Sequence, residues 1–284
     1  MTRLVGIYRE REYSPGRHQS NDAVLLERVA ERLRERDVKV DLFALDNLAR
    51  APREATLIFS MCQGRTALER LARWEKAGAH VVNSPRAARN TYRDRLPDVM
   101  RRAGVPFPPT ELVPTIDGVH VLHPSIAGDG GFWLKRGDVH ASVATDVQWI
   151  ESEAGLDGAR AEFASRGVQV AAVQAHRAGD EIKFYGVGDF FYWFYTGEAG
   201  RYAFDHAALS RLARRAADAA GLAIFGGDVI VSAEGELTII DLNDWPSFAP
   251  CREAASPAIA SYLVRRVDAL WNTGLVSSAN ESAV

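Results

Sequence analysis

Hydrophobic and polar positions along residues 1–90 fall into two alternating periods. Leu4–Tyr8 reads as a buried strand, and Val38–Phe43, Thr56–Met61 and His80–Asn83 read as a second, third and fourth strand. Between the first two, Leu25, Val29 and Leu33 recur every four residues and predict a helix over Asn21–Arg36. A second helix over Thr66–Ala77 stops at Gly78. Strand and helix in alternation predict a parallel sheet with crossover helices. Ligands of open sheets of this kind bind beyond the strand carboxyl ends. The loops Arg9–Ser20 and Cys62–Arg65 lie there, so Arg11, His18 and Arg65 are candidate substrate contacts.

The pattern changes after Asn83-Ser-Pro85, which opens a helical segment that Gly104-Val-Pro-Phe-Pro closes. Phe132–Lys135 reads as a short strand, Asp146–Glu153 and Asp157–Arg166 as two helices, and Val168–Ala175 as a strand. Gly188–Tyr195 has large residues on both alternating faces and predicts a strand buried on both sides. Asp205 caps a helix that runs to Ala220 and stops at Gly221. Two β-rich runs follow, Asp228–Val231 and Leu237–Leu242, joined by the turn Ala233-Glu-Gly235. A last amphipathic helix covers Glu253–Trp271, and Ser277–Val284 reads as a frayed tail.

The hairpin carries the first chemistry. Antiparallel pairing across a short turn sets the start of one strand beside the end of its partner. Asp241 and Asn243, two residues apart, share one face, which points to the region of Asp228. Three hard oxygen donors then converge, a set suited to Mg²⁺ held partly through a nucleotide's phosphates.

Composition narrows the classes. The 284 residues suffice for two or three compact units, and 47% hydrophobic with 25% charged residues is ordinary for a globular protein. A net charge of −3 gives no electrostatic reason to expect nucleic acid or an anionic membrane. The longest aromatic run, Phe190–Tyr195, is far too short to span a bilayer. Two cysteines, Cys62 and Cys251, form no disulfide framework, and Met1 leads into a strand without an apolar leader. A reduced, cytoplasmic protein is the expectation. Seven scattered histidines show no metal-ligand spacing.

The pattern Asp228 … Asp241-x-Asn243 resembles the metal-binding end of the ATP-grasp superfamily. Most members have Glu where this chain has Asp241; inositol phosphate kinases are among those with Asp. Thr91-Tyr-Arg-Asp-Arg-Leu-Pro, followed by Gly104-Val-Pro-Phe-Pro, is similar to the superfamily's linker into its nucleotide-binding half, where Arg95 would stand for a phosphate-contacting lysine. Phe132-Trp-Leu-Lys135 resembles the strand whose lysine holds the α- and β-phosphates, followed by a covering loop at Arg136–Ser142. A lysine among apolar strand residues is costly unless paired, which packing alone does not explain. Gln174–Tyr185 is similar to the hinge between the lobes.

The resemblance implies a fold and a set of roles. An N-terminal Rossmann-like α/β domain (1–90) would precede a two-lobed ATP-grasp fold, with an N-terminal lobe at 91–186, a C-terminal lobe with the metal site at 187–276, and the tail at 277–284. Gln174, His176 and Arg177 would line the adenine pocket and Glu181 would hold the ribose. Lys183, Arg201 and Arg252 would serve the transferred phosphoryl group or the acid, with Asp244 on the substrate side. ATP and Mg²⁺ are the implied cofactors, two ions with Mn²⁺ as a substitute. The implied activity is ligation of a small carboxylate to a small amine through an acyl phosphate. A small-molecule kinase acting on an alcohol or polyol is the alternative, and a nucleotide-binding regulator without turnover the third. The sequence leaves the oligomeric state open, a homodimer included.

Overall fold

A computed structural model describes residues 2–273 except 15–16, 50, 53, 117–120, 127–130, 140–142 and 198–199; of residues 17–20 it describes the backbone alone. The expected tail at 277–284 and the end of the covering loop therefore lie outside the described residues.

The N-terminal sheet is parallel, in the order β2-β1-β3-β4, from β1 (Arg3–Ile7), β2 (Lys39–Phe43), β3 (Leu57–Ser60) and β4 (Val81–Val82). Helices α1 (Arg17–Arg34) and α2 (Arg65–Lys76) are its crossovers. Alternation along β1 assigns its two faces. Leu4 packs in a core with Leu25, Val29 and Leu33 of α1, whereas Val5 and Ile7 pack with Leu68, Leu71 and Trp74 of α2. The α1 side also receives the last helix, α7 (Arg252–Asn272), through Ile259, Leu263 and Val267. The first strand and the last described helix thus share one core.

Short helices α3 (Pro85–Asn90) and α4 (Leu96–Arg102) lead out of this sheet. Ser84 caps α3 by accepting the Ala87 N–H at 3.1 Å, with Pro85 in the first turn. A second sheet follows, antiparallel, in the order β5-β8-β6-β7. Its strands are β5 (Thr110–Pro114), β6 (Phe132–Arg136), β7 (Val147–Ile150) and β8 (Val170–Ala175), covered by α5 (Leu156–Ser165) through Phe163, Phe132 and Leu134. The third sheet, also antiparallel, runs β10-β9-β11-β12 and comprises β9 (Asp180–Val187), β10 (Phe190–Tyr195), β11 (Ile224–Val231) and β12 (Leu237–Asp244). Helix α6 (His206–Ala220) covers it, capped by Asp205 and stopped by Gly221.

Two expectations change, and one strand is new. The helix expected over Asp146–Glu153 is strand β7, because Val147, Trp149 and Ile150 favour a pleated surface and pair with β6. Strand β5 falls where the sequence reading placed no element, between Gly104-Val-Pro-Phe-Pro and the strand at Phe132. Strand β10 is not interior: it is an edge, and all six of its residues are half-buried. Among the described residues no helix is long and apolar enough to cross a membrane.

Candidate active site

The two antiparallel sheets face each other across a cleft of about 580 Å³, closed at one end by the loops that follow β1 and β3. Its floor is set by strand pairing. Asp228 of β11 is the cross-strand partner of both Asp241 of β12 and Lys183 of β9. Lys183 Nζ donates to Asp228 Oδ1 at 2.5 Å and lies 3.9 Å from Glu181. Close approach of β12 is possible because residue 227 is glycine: a Cβ there would come within 2.5 Å of the Asp241 carbonyl oxygen.

A β-bulge re-aims the strand between these residues. The register passes from Asp228↔Asp241 to Val229↔Ile239, so Ile240 is the extra residue. Its freed carbonyl turns towards the other sheet and accepts from Lys135 Nζ at 3.3 Å and Gln174 Nε2 at 3.4 Å. Lys135 also donates to Gln174 Oε1 at 2.6 Å. Both partners are neutral, and burial lowers the Lys135 amine to about 8, with Asp241 opposing that shift.

Asp241 is held by an arginine that the sequence reading passed over. Arg93 Nη2 donates to Asp241 Oδ2 at 2.5 Å, and both side chains are about nine-tenths buried. Arg93 Nε and Nη1 are buried and find no hydrogen-bond partner among the described residues. Buried donors without partners are rare in folded proteins. Arg93 as a residue lines the cleft. Arg95, the expected phosphate contact, sits instead at the exposed start of α4 and does not line the cleft. The spacing allowed either arginine. The signal that separates them is Leu96-Pro97, which starts a helix and sets residue 95 at its outer end.

The remaining expected residues divide. Gln174, His176, Arg177 and Glu181 line the cleft with Trp133 and Val147. Trp133 Nε1 donates to His176 Nδ1 at 3.3 Å, and Trp149 packs edge-on to the same imidazole at 5.2 Å. Asn243 and Asp244 line it too. Arg201 does not: it is 67% exposed and pairs with Asp180 at 2.8 Å. Arg252 reaches Asn21 Oδ1 at 3.1 Å, where α7 meets α1, and also lies outside the lining. Neither Arg11 nor Arg65 lines the cleft, and the His18 side chain lies outside the described residues. From the first loop the contributors are Arg9 and Tyr13, with Asp22 from the first turns of α1 and Gln63 from the second loop. Arg9 is fully engaged, donating to Asp22 at 2.8 Å, Gln63 Oε1 at 2.6 Å and the Trp245 carbonyl at 2.6 Å.

The segment after β12 is clamped to the N-terminal sheet. Trp245 is fully buried, stacks on Phe59 at 6.1 Å and donates its indole N–H to the Val82 carbonyl at 3.1 Å. Trp245 and Phe248 have φ of +41° and +48°, a region costly for residues with a side chain. Each such residue costs about 1–3 kcal/mol and persists only where its surroundings over-determine it. Between them Pro246 and Ser247 form the cleft wall. Asn83 ties the same corner together. Its amide donates to the Ile224 carbonyl at 2.7 Å and to Asp244 Oδ1 at 2.6 Å, and its oxygen accepts from Ala223 at 2.8 Å and Ile224 at 3.2 Å. Burial pushes the Asp244 carboxyl up to about 7, against the Asn83 hydrogen bond and the Arg9 charge.

The donor set fits a hard divalent cation that is only partly protein-bound. Burial pushes the Asp228 carboxyl above its ordinary range, Lys183 draws it down and Asp241 raises it again, so added positive charge there is favoured. Among the described residues no three His, Cys, Asp or Glu side chains gather to hold a metal ion. Two carboxylates and the Asn243 amide leave coordination positions for phosphate oxygens and water.

A cleft between two antiparallel sheets, behind a parallel-sheet domain, defines the ATP-grasp fold, and this chain has it. Solved structures with the same fold include a RimK-domain ATP-grasp protein from Sphaerobacter thermophilus, at TM-score 0.70 and 18% identity over 92% of this chain and 99% of that one. The D-alanine–D-alanine ligase of Bacillus anthracis complexed with ATP superimposes at TM-score 0.75 and 10% identity, over 96% of this chain and 100% of that one. The D-alanine–D-alanine ligase of Coxiella burnetii does so at 0.71 and 12%, over 96% and 98%. No protein-family model matches the sequence, and no curated protein matches it.

Proposed function

We propose that the protein is an ATP-dependent ligase that joins a carboxylate to an amine through an acyl phosphate. The observation that carries this reading is the convergence in one cleft of Lys135, Lys183 and the half-unpaired Arg93 with Asp228, Asp241 and Asn243. Three cations and a cation-binding oxygen set suit a polyphosphate, and the Bacillus anthracis ligase of this fold is complexed with ATP.

In this reading Trp133, His176 and Val147 flank the base, with Glu181 at the sugar. Lys135 and the free donors of Arg93 take phosphate oxygens. Asp228, Asp241 and Asn243 would hold Mg²⁺, which when bound offsets phosphate charge as a Lewis acid. Lys183 stands beside Asp228 and turns to the transferred group. A carboxylate oxygen of the acid forms a bond to the γ-phosphorus as the bridging bond to ADP breaks. The amine nitrogen then attacks the acyl carbon, loses a proton, and inorganic phosphate leaves. Phosphoryl transfer relies on positioning and charge, which this wall of fixed cations supplies.

A kinase reading has one residue in its favour, Asp241 where ligases of this type carry Glu. Hydroxylamine separates the two. With ATP, Mg²⁺ and a panel of small acids but no amine, a ligase gives the acid's hydroxamate and stoichiometric ADP. A stable phosphorylated alcohol, with no hydroxamate from any acid, supports the kinase instead.

A further inference from the structure

Among the described residues the three sheets present six edge strands, and five of them carry a feature that opposes pairing with another chain. Strand β2 has Lys39 and Asp41, β4 is two residues long, β5 has Glu111 and Pro114, and β7 is four residues long. Strand β12 carries Asp241 and Asp244 and is partly covered, its Ile239 N–H donating to the Pro106 carbonyl at 3.0 Å. Short, charged, proline-bearing or covered edges are how monomers avoid edge-to-edge association. Among the described residues strand β10 has none of these. Phe190-Phe-Tyr-Trp-Phe-Tyr195 is six residues long, uncharged and unbulged, in continuous register with β9.

Parity shows which groups this edge offers. The two-residue turn Gly188–Asp189, with Gly188 at φ +52°, closes on Val187 and Phe190 as a hydrogen-bonded pair. Thr196 N–H donates to the Glu181 carbonyl at 3.1 Å and continues the same parity. The N–H and C=O of Phe191, Trp193 and Tyr195 therefore point away from β9. None of the three has a partner outside the sheet among the described residues.

We propose that the protein forms a two-fold dimer in which β10 pairs antiparallel with β10 of a second copy. Trp193 lies opposite the partner subunit's Trp193 on the axis, and Phe191 lies opposite the partner subunit's Tyr195. Each of these pairs exchanges two backbone hydrogen bonds, and the sheet continues through both subunits. A second copy fits this edge better than a peptide ligand. Peptides that add a strand are read by pockets for alternate side chains. Those spaces are filled here: Phe194 stacks on Tyr185 at 6.4 Å, and Trp193 packs on Phe204 at 5.2 Å and His206 at 4.7 Å. Self-pairing also brings no charge against a like charge along the strand, and it buries aromatic edge on both faces. The first turn of α6, at His206, flanks the same seam. Lys183 is the cross-strand partner of Phe194, so the dimer braces the strand that carries it.

Light scattering coupled to size exclusion, at tens of micromolar, is expected to give twice the 31.2 kDa chain mass. Tyr192→Lys, which places on this edge the residue natural edges use, shifts the mass to that of one chain with an unchanged circular dichroism spectrum. Amide exchange at Phe191, Trp193 and Tyr195 is at least ten-fold slower at high protein concentration than on dilution. A wild-type mass of one chain throughout would overturn the dimer. So would a dimer in which these three amides exchange as fast as in diluted protein. The exchange measurement needs no variant, so it decides even where Tyr192→Lys fails to fold.

Discussion

Arg93 lines the cleft and has two buried nitrogens, Nε and Nη1, without partners among the described residues, while its third nitrogen neutralises Asp241. Removing one partner of a buried ion pair costs about 3–5 kcal/mol, because the other charge stays buried. Arg93→Met is therefore expected to lower the unfolding free energy in urea by about that amount and to weaken nucleotide binding at least ten-fold. Arg95→Ala, exposed at the start of α4, should change stability by less than about 0.5 kcal/mol and leave nucleotide affinity unchanged. Equal effects of the two would remove the phosphate role from Arg93. Lys135 supplies a pH signature. Burial holds its amine at about 8, below its ordinary value, so in the free protein it is neutral above that pH. A polyphosphate favours the charged form, so binding above pH 8 takes up a proton. Calorimetry at pH 9 in buffers of different ionisation enthalpy is expected to show that uptake, and Lys135→Arg to abolish it. Between about 8 and the ordinary amine value the unfolded state holds more protons than the folded one. The cost of burying this cation is full below pH 8 and falls as pH rises through that window.

At the scale of elements the site depends on how closely strands approach. Gly227→Ala would set a Cβ within 2.5 Å of the Asp241 carbonyl and push β12 from β11. Turnover is expected to fall by at least a hundred-fold with secondary structure retained, read as kcat by ADP release and by circular dichroism. This scale also shows how far the sequence was legible. Asp228, Asp241 and Asn243 were readable as one group because strand periodicity and a short turn determine who faces whom. Lys135 stood out because a cation in an apolar strand needs a reason. The bulge at Ile240 was not legible, since an extra residue in a regular run leaves no compositional mark. Strand β7 was misread because its four residues are too few for period 2 to compete with flanking helix formers. Arg201 and Arg252 looked like loop cations near the site, but long-range partners, Asp180 and Asn21, decide where they lie.

At the scale of the molecule, β1, α1 and α7 share one core, so the parallel sheet behind the cleft is held by helices from both early and late in the sequence. The parallel sheet and its crossover helices followed from the alternation of strand and helix, whereas the strand order β2-β1-β3-β4 and the docking of α7 on α1 did not. Its apolar stripe marks a buried face without naming the partner. Asn83 is the rivet between the parallel sheet and the strands that carry the oxygen donors. Each buried group left unpaired costs about 1–3 kcal/mol. Asn83→Ala leaves the Ala223 and Ile224 amides and Asp244 without it, so stability is expected to fall by at least about 2 kcal/mol in chemical denaturation. Unchanged stability would mean that the two sheets are held by apolar packing alone.

The most direct measurement is a crystal structure grown with Mg²⁺ and a non-hydrolysable ATP analogue. The predicted result is a cation about 2.0–2.1 Å from oxygens of Asp228, Asp241 and Asn243, bridging to phosphates that Lys135 and Arg93 contact. Phosphates bound elsewhere, with those three side chains still facing only Lys183, Arg93 and solvent, would contradict the account.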